Sequence, residues 1–316
     1  MHVIESGQVF DSQFLEEDLT VVLCADGYEE RSVAAASQLK GKDISFRYAI
    51  PFKEQKILSR PDNDIFFQAN EYELLPELSG SDFDGACSAF EKILTSCIKR
   101  GSCRIAIDYS CMTRAWLGAF INHLFDRSSE GARVDVFFLY SPAAFSEPRY
   151  PSPNAIVTPL RGFCSLRAVD EPVALVIGCG YEKMRATGLK EYIDPATTVL
   201  FYTDPAFDNR YPQLVIENNA GLFAEVGEKN VVRYPLQDMD STAAMLYDRV
   251  TDLSKNFRVI LAPLGVKPFS LLSMLLAARY RLADVWRVSG ETLTTPRKGE
   301  SSGELLVYRV SFDDNQ

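Results

Sequence analysis

Apolar and polar residues alternate along the chain in blocks that predict strands and helices in turn. Short apolar runs, VVLCA at residues 21–25 and VALVI at 173–177, are typical of strands that are buried on both faces. Other segments carry apolar residues at helical spacing, among them DGACSAFEKILTSCIKR at 84–100 and DSTAAMLYDRVTDLSK at 240–255. Strands that alternate with helices of this length predict βαβ units and a parallel sheet with helices on both faces.

The same order of elements occurs twice. Gly-Tyr-Glu follows the first apolar run at 27–29 and returns after the second at 180–182, an offset of 153 residues. Each half continues through a strand (SFRYAIPF or VLFYTDPAF), a helix, an apolar strand (CRIAID or FRVILAP), a basic turn (SCMTR or LGVKP) and an apolar helix. We therefore predict an α/β protein with two tandem Rossmann-like repeats, 1–150 and 151–316, whose sheets are mainly parallel and related by a pseudo-two-fold axis. The Pro-rich stretch 146–163 is the predicted junction, and the last apolar run, LLVYRVSF, is assigned to the second repeat.

Charge narrows the range of partners. The formal net charge is -10 and the pI is about 4.9, which argues against sequence-independent binding to duplex nucleic acid. A small anionic ligand in a local basic pocket is still compatible with this charge. The N-terminal residues do not resemble a signal peptide, and no apolar run is long enough to cross a membrane, so we expect a cytoplasmic protein without membrane contact.

The residue types that most often carry metal or cofactor chemistry are sparse. The seven cysteines have no zinc spacing and are expected to be reduced, mostly buried thiols. His123, one of two histidines, lies in the run WLGAFINHLF and is expected to be a packed or partly exposed helix residue, not a general base. The GxG at 178–180 lacks the third glycine of a dinucleotide fingerprint, and Walker A, GxSxG and HExxH motifs are absent. We therefore predict no bound cofactor and no metal.

Both Gly-Tyr-Glu loops and both basic turns directly follow predicted strands. Ligands of open α/β sheets bind beyond the carboxyl ends of strands, where helix N-termini favour anions. We predict that each glycine leaves its strand at unusual dihedral angles and admits a ligand, and that each glutamate lies just inside the next helix. In the alternative, structural interpretation the glycine forms the turn, the glutamate caps the helix, the tyrosine packs and the arginine pairs with a surface carboxylate. The residues concerned are Gly27, Glu29 and Arg31 in the first half and Gly180, Glu182 and Arg185 in the second.

The stretch IDYSCMTRAW is more informative. Asp108, Ser110 and Arg114 form a strand-end pattern in which Thr113 adds a second hydroxyl at the helix start. A turn with hydroxyls, backbone N-H groups and one cation can hold a phosphate or a ribose edge. Here the sequence resembles the CARF family, the Rossmann-like sensors of cyclic oligonucleotides in bacterial antiviral systems, and its paired-repeat relatives, the SAVED domains.

This resemblance implies a function and a set of contacts. The turn of Asp/Asn, Ser/Thr and Arg/Lys character would contact the ligand backbone, and the loop after the first strand would contribute. In the second half, PLGVKP keeps only Gly265 and Lys267 of that character, and SCMTR lacks the glycines frequent in the family's turn. The implied protein binds a small nucleotide between its halves and passes the signal to an effector or another defence-system protein.

Two other functions stay open. In the enzyme hypothesis, the carboxylates of Glu29, Asp108, Glu182 and Asp204 converge on one cleft as a general base or as ligands of a divalent ion, and a nucleotide or N-glycosidic bond is cleaved. In the third hypothesis the chain is an interaction protein. Its helix FSLLSMLLAARY then packs in its own half or against a second copy in a homodimer, and core packing is the expectation.

Overall fold

The chain forms two compact units in a computed structural model. Unit 1 comprises Met1–Ala144 together with Thr295–Gln316, and unit 2 comprises Phe145–Thr294. The structure describes residues 1–99, 102–129, 131–147, 154, 156–164, 170–289 and 298–314.

Unit 1 alternates strands and helices around a mixed sheet. Its strands are β1 (His2–Val9), β2 (Val21–Asp26), β3 (Phe46–Pro51), β4 (Glu73–Leu74), β5 (Ser102–Asp108), β6 (Arg133–Tyr140) and β13 (Leu306–Asp313). Its helices are α1 (Asp11–Phe14), α2 (Ala34–Gln38), α3 (Arg60–Ala69), α4 (Phe83–Ile98) and α5 (Arg114–Asp126), with a 3-10 turn at Glu30–Val33 before α2. Within the described part of the chain the sheet has seven strands in the order β1-β13-β6-β5-β2-β3-β4.

Unit 2 repeats this plan. Its strands are β7 (Ile156–Pro159), β8 (Val173–Gly178), β9 (Thr197–Thr203), β10 (Val231–Tyr234), β11 (Arg258–Pro263) and β12 (Ala283–Ser289). Its helices are α6 (Arg185–Ile193), α7 (Arg210–Asn218), α8 (Ala220–Val226), α9 (Met239–Leu253) and α10 (Lys267–Tyr280), with a 3-10 turn at Glu228–Asn230. Among the described residues its sheet has six strands in the order β10-β9-β8-β11-β12-β7.

The two sheets share one topology. Each unit has five parallel strands among its described residues. In unit 1, β2 is at the centre, with β3 and β4 on one side and β5 and β6 on the other. In unit 2, β8 is at the centre, with β9 and β10 on one side and β11 and β12 on the other. Antiparallel strands then extend the side of the fifth strand, β13 and β1 in unit 1 and β7 in unit 2. The predicted fold, two Rossmann-like α/β repeats with mainly parallel sheets, is therefore confirmed.

One assignment from the sequence differs from the structure. The run LLVYRVSF was given to the second repeat, but it forms β13, which pairs with β1 and β6 in the sheet of unit 1. Unit 1 is therefore discontinuous in sequence, and unit 2 is inserted within it. The run's alternating apolar pattern specifies a strand, but it does not specify which sheet the strand joins.

Caps and apolar faces explain where the long helices lie. The Asp82 carboxylate caps α4 by accepting from Gly85 N-H at 2.8 Å, and Asp238 caps α9 by accepting from Ser241 N-H at 2.9 Å. Helix α10 buries every residue from Pro268 to Ala278 within the single chain, so the expectation of core packing is confirmed.

The predictions for cysteine and histidine have different outcomes. Cys97 and Cys103 form a disulfide, so the expectation of reduced thiols is wrong for this pair. Cys24 is a buried thiol, and burial raises its pKa well above the ordinary value. His123 is half-buried on α5 with Nε2 2.6 Å from a carboxylate oxygen of Glu91, as a packed helix residue should be. Within the described residues, no helix is long and apolar enough to span a membrane.

Candidate functional site

All four predicted loops lie at the points where the strand order reverses. In unit 1, β2 and β5 are neighbours, and their following connections lead to opposite sides of the sheet. In unit 2, β8 and β11 have the same relation. The crevice beyond the carboxyl ends of such a strand pair is the usual ligand site of an open α/β sheet. Each unit therefore has one Gly-Tyr-Glu loop and one basic turn at its own switch point.

Arg31, at the switch point of unit 1, is a buried cation. Its Nε lies 2.7 Å from Oε2 of Glu29, and its Nη1 donates to the backbone carbonyl of Ser141 at 2.9 Å. Glu29 has extended backbone and precedes the 3-10 turn, so its predicted place inside a helix is wrong. The pairing of Arg31 with a carboxylate agrees with the structural interpretation of the loop, but Glu29 makes no side-chain capping bond, so that part of the interpretation is wrong.

The Gly-Tyr-Glu loop of unit 1 needs no left-handed backbone at its glycine. Gly27 has no positive φ, and neither has Gly180 in unit 2, so the predicted unusual dihedral angles are wrong for both. A Cβ at Gly27 would make only van der Waals contact with Phe52, 3.4 Å away. The loop is instead held by hydrogen bonds, since Gly27 N-H donates to Oγ of Ser32 at 3.1 Å.

Buried asparagines clamp both Gly-Tyr-Glu loops. In unit 1, the side-chain amide of Asn63 on α3 donates to the carbonyls of Gly27 and Glu29, each at 2.9 Å. In unit 2, Asn219 donates to the carbonyl of Gly180 at 3.0 Å, and its neighbour Asn218 donates to that of Tyr181 at 2.6 Å. The sequence analysis missed these residues, although Asn63 and Asn219 are 156 residues apart, close to the offset of the loops themselves.

The basic turn of unit 1 is internally bonded. The buried carboxylate of Asp108 accepts from Ser110 N-H at 2.9 Å, and the hydroxyl oxygen of fully buried Ser110 accepts from Ser141 N-H at 2.7 Å. Thr113 caps α5 by accepting from Trp116 N-H at 3.2 Å. These three predicted residues thus have structural partners. Arg114, the half-buried first residue of α5, places a cation at the positive end of the helix dipole.

A buried carboxyl lies at the end of β2. Asp26 is fully buried, and its Oδ1 is 3.2 Å from Nε of Arg60, which also lies 2.8 Å from Asp64. Burial, together with a hydrogen bond to Asp64, raises the pKa of Asp26 to about 8 despite the nearby guanidinium. Asp64 is more exposed, and the hydrogen bonds from Asp26 and Arg60 lower its pKa against the effect of its own burial. Neutral pH therefore favours the protonated form of Asp26 and the ionised form of Asp64.

In unit 2, glycines let the two switch-point loops pack against each other. The carbonyl of Gly178 accepts from Leu264 N-H at 2.9 Å and from Gly265 N-H at 2.8 Å. A Cβ at Gly265 would collide with the carbonyl of Cys179, and one at Gly180 would lie 3.2 Å from the carbonyl oxygen of Leu264. These contacts explain why positions 180 and 265 are glycine, since the backbones of the two loops approach too closely for a side chain.

The charged residues predicted for the site in unit 2 lie in local ion pairs or at helix starts. Arg185 begins α6, and its Nη1 is 3.2 Å from Oε2 of Glu182, which precedes the helix and does not lie inside it as predicted. Asp204 is paired with Arg233, with Nε 2.9 Å from Oδ2. Lys267 is the half-buried first residue of α10, as Arg114 is of α5 in unit 1.

The structure brings together some predicted residues and leaves other predictions open. Arg31 and Ser110 meet through Ser141, and Glu29 meets Arg31. The convergence of residues from both halves on one shared cleft stays a prediction. Among the described residues, no three His, Cys, Asp or Glu side chains are grouped so that they could hold a metal ion.

The fold defines a class, the tandem Rossmann-like α/β proteins with a switch-point loop pair in each unit. No protein-family model matches the chain, and no curated protein matches it at a significant level.

Proposed function

We propose that the chain is a nucleotide-binding sensor or accessory protein of antiviral defence that captures a small, cyclic oligonucleotide-like ligand at its switch-point loops. A single observation carries this proposal. In both units, the helix after the fourth parallel strand starts on a cation at the same switch point as the Gly-Tyr-Glu loop, Arg114 in unit 1 and Lys267 in unit 2. Helices α5 and α10 have 13 and 14 residues, long enough for their dipoles to add to the side-chain charge.

The chemistry of these positions suits a phosphodiester better than a neutral ligand. A cation at a helix start attracts phosphate oxygens, whereas the net charge of -10 opposes long polyanions. A short ligand interacts with the local cation more strongly than with the net charge of the protein, because solvent ions screen charges that are more than about 8 Å away.

Isothermal titration of the full chain against cyclic and linear oligoadenylates tests this function. We expect binding, with Arg114→Ala and Lys267→Ala each weakening it roughly 10-fold to 100-fold, the effect of losing one charged hydrogen bond. Arg133→Ala and Lys255→Ala are matched controls, because Arg133 begins β6 and Lys255 precedes β11, both at the amino ends of strands. No heat with any nucleotide would count decisively against the proposal. Recovery of a cleaved nucleotide after titration would support the carboxylate enzyme in its place.

A further inference from the structure

A segment near the C-terminus lies against the Gly-Tyr-Glu loop of unit 1. We call residues 298–303 the strap. At one end, Glu30 N-H donates to the carbonyl of Lys298 at 2.6 Å, and Arg31 N-H donates to that of Gly299 at 3.1 Å. The ammonium of Lys298 adds an ion pair, 3.1 Å from Oε2 of Glu30. The loop that carries Arg31 is thus held through both its backbone and a side chain.

The other end of the strap is fixed to the segment that follows β6. Ala144 N-H donates to the carbonyl of Glu300, and Ser302 N-H donates to that of Pro142, both at 2.9 Å. Ala143 and Ser301 form an antiparallel bridge. The strap therefore connects two loops that both follow carboxyl ends of strands in unit 1.

Gly299 is shaped for this contact. Its φ of +53° is in the left-handed region, and a Cβ there would lie 2.5 Å from Oε2 of Glu29. The Glu29 carboxylate therefore lies between Gly299 and Arg31, and the strap holds it against the guanidinium. Because Arg31 is buried and already paired, an external anion would have to displace Glu29 to bind it.

We propose that the strap is an autoinhibitory contact, and that strap and nucleotide compete for the Gly-Tyr-Glu loop of unit 1. The inference rests on the proposed function and adds its regulation. A ligand that binds only the open form has an apparent affinity reduced by the fraction of protein that is open. Loosening the strap therefore strengthens binding, although it adds no contact with the ligand.

The first test needs no ligand. Gly299→Ala puts a side chain on a positive φ and against Glu29. Gly41→Ala is the control, because Gly41 lies outside the strap, between α2 and β3, and has a φ of +77° with nothing within 4 Å of its Cβ. Both variants carry backbone strain, but only the strain in Gly299→Ala is relieved when the strap opens. We expect amide hydrogen exchange at Glu30 and Arg31 to accelerate roughly fivefold to thirtyfold in Gly299→Ala and to stay near wild type in Gly41→Ala. Unchanged exchange in a folded Gly299→Ala protein would overturn the strap as a restraint, whatever the ligand.

The second test is titration of the three proteins with the oligoadenylate panel. Competition predicts that Gly299→Ala binds roughly fivefold to thirtyfold more tightly than the wild type and Gly41→Ala. Equal affinities would refute autoinhibition and leave nucleotide binding intact. Failure of all three to bind, with accelerated exchange in Gly299→Ala, would instead refute the proposed function and any competition with nucleotide.

The wild-type chain gives a third readout that does not depend on how the variants fold. If ligand displaces the strap, saturating oligoadenylate accelerates exchange at Ala144 and Ser302, whose amides bond across the far end of the strap. Slower exchange at both amides in the complex would show that the ligand tightens the strap, and would sink the proposal.

Discussion

The carboxyl group of Asp26 keeps its proton at neutral pH because burial raises its pKa to about 8. In the unfolded chain that pKa is about 4. Between these values the folded protein binds more protons than the unfolded chain, so the contribution of Asp26 to the free energy of unfolding falls as pH rises. Asp26→Asn removes this loss. We expect the variant to gain stability over wild type from about pH 5 to about pH 8, by at most about 4 kcal/mol, measured by urea unfolding.

The control for this change is Asp62→Asn, an exposed carboxylate on α3. Its pH profile should run parallel to that of the wild type. The lowered pKa of Asp64 acts only below the ordinary carboxyl range and does not enter the measured window. A constant difference between Asp26→Asn and wild type across the window would mean that Asp26 is ionised in the folded protein.

Arg31 is the second residue whose role can be isolated. Its guanidinium is buried against Glu29 and the carbonyl of Ser141, so Arg31→Ala leaves both acceptors without their donor. We expect the free energy of unfolding to drop by about 2–4 kcal/mol. Arg133→Ala, which removes a half-exposed guanidinium, should cost less than about 1 kcal/mol. Equal losses in the two variants would show that the buried contacts of Arg31 contribute little to stability.

At the scale of elements, the asparagine clamps make the Gly-Tyr-Glu loops part of the folded framework. Asn63→Ala removes the donor to two loop carbonyls and should cost about 1–3 kcal/mol. Asn70→Ala is the matched control, because Asn70 follows the same helix and donates only to the carbonyl of Phe66 within it. Hydrogen exchange between Tyr28 and Arg31 should accelerate in Asn63→Ala alone. Equal acceleration in Asn70→Ala would assign the effect to α3 as a whole.

Most elements could be predicted from the sequence because their signals are local. The apolar run before Asp26 is a fully buried strand, and the helical spacing at 84–100 corresponds to α4, displaced by one residue at its start. The clamps could not be predicted in this way, since Asn63 lies 36 residues from Gly27 and only folding brings the two together. Ser110 follows β5 as its motif predicts, but its buried bond to Ser141 depends on a neighbouring strand that this motif does not encode.

At the scale of the whole molecule, the discontinuity of unit 1 is the feature that sequence patterns could not supply. Both ends of the chain are strands of one sheet, and β13 separates β1 from β6. Internal similarity divides the chain into two consecutive halves and locates the five parallel strands of each unit. Strand β7 begins 154 residues after β1, close to the repeat offset, but β13 has no such counterpart among the described strands, so only long-range pairing reveals to which unit β13 belongs.

Removal of residues 298–316 should therefore unfold unit 1, although the deleted residues follow unit 2 in sequence. Strand β13 buries Leu306, Val307, Tyr308, Val310 and Phe312. At about 1.5–3 kcal/mol for each side chain, their loss rivals the whole stability of a typical domain, about 5–15 kcal/mol. Deletion also leaves β1 without its partner strand.

The two tryptophans of the chain report on the units separately, since Trp116 lies on α5 of unit 1 and Trp286 on β12 of unit 2. In single-tryptophan backgrounds, Trp286→Phe and Trp116→Phe, fluorescence during urea unfolding follows each unit alone. We expect the truncated chain to lose the Trp116 transition and to keep that of Trp286, whereas a chain ending at Asp314 keeps both. Because the boundary at residue 151 assigns the deleted strand to the second repeat, it predicts loss of the Trp286 transition, and that result would restore the division into two consecutive halves.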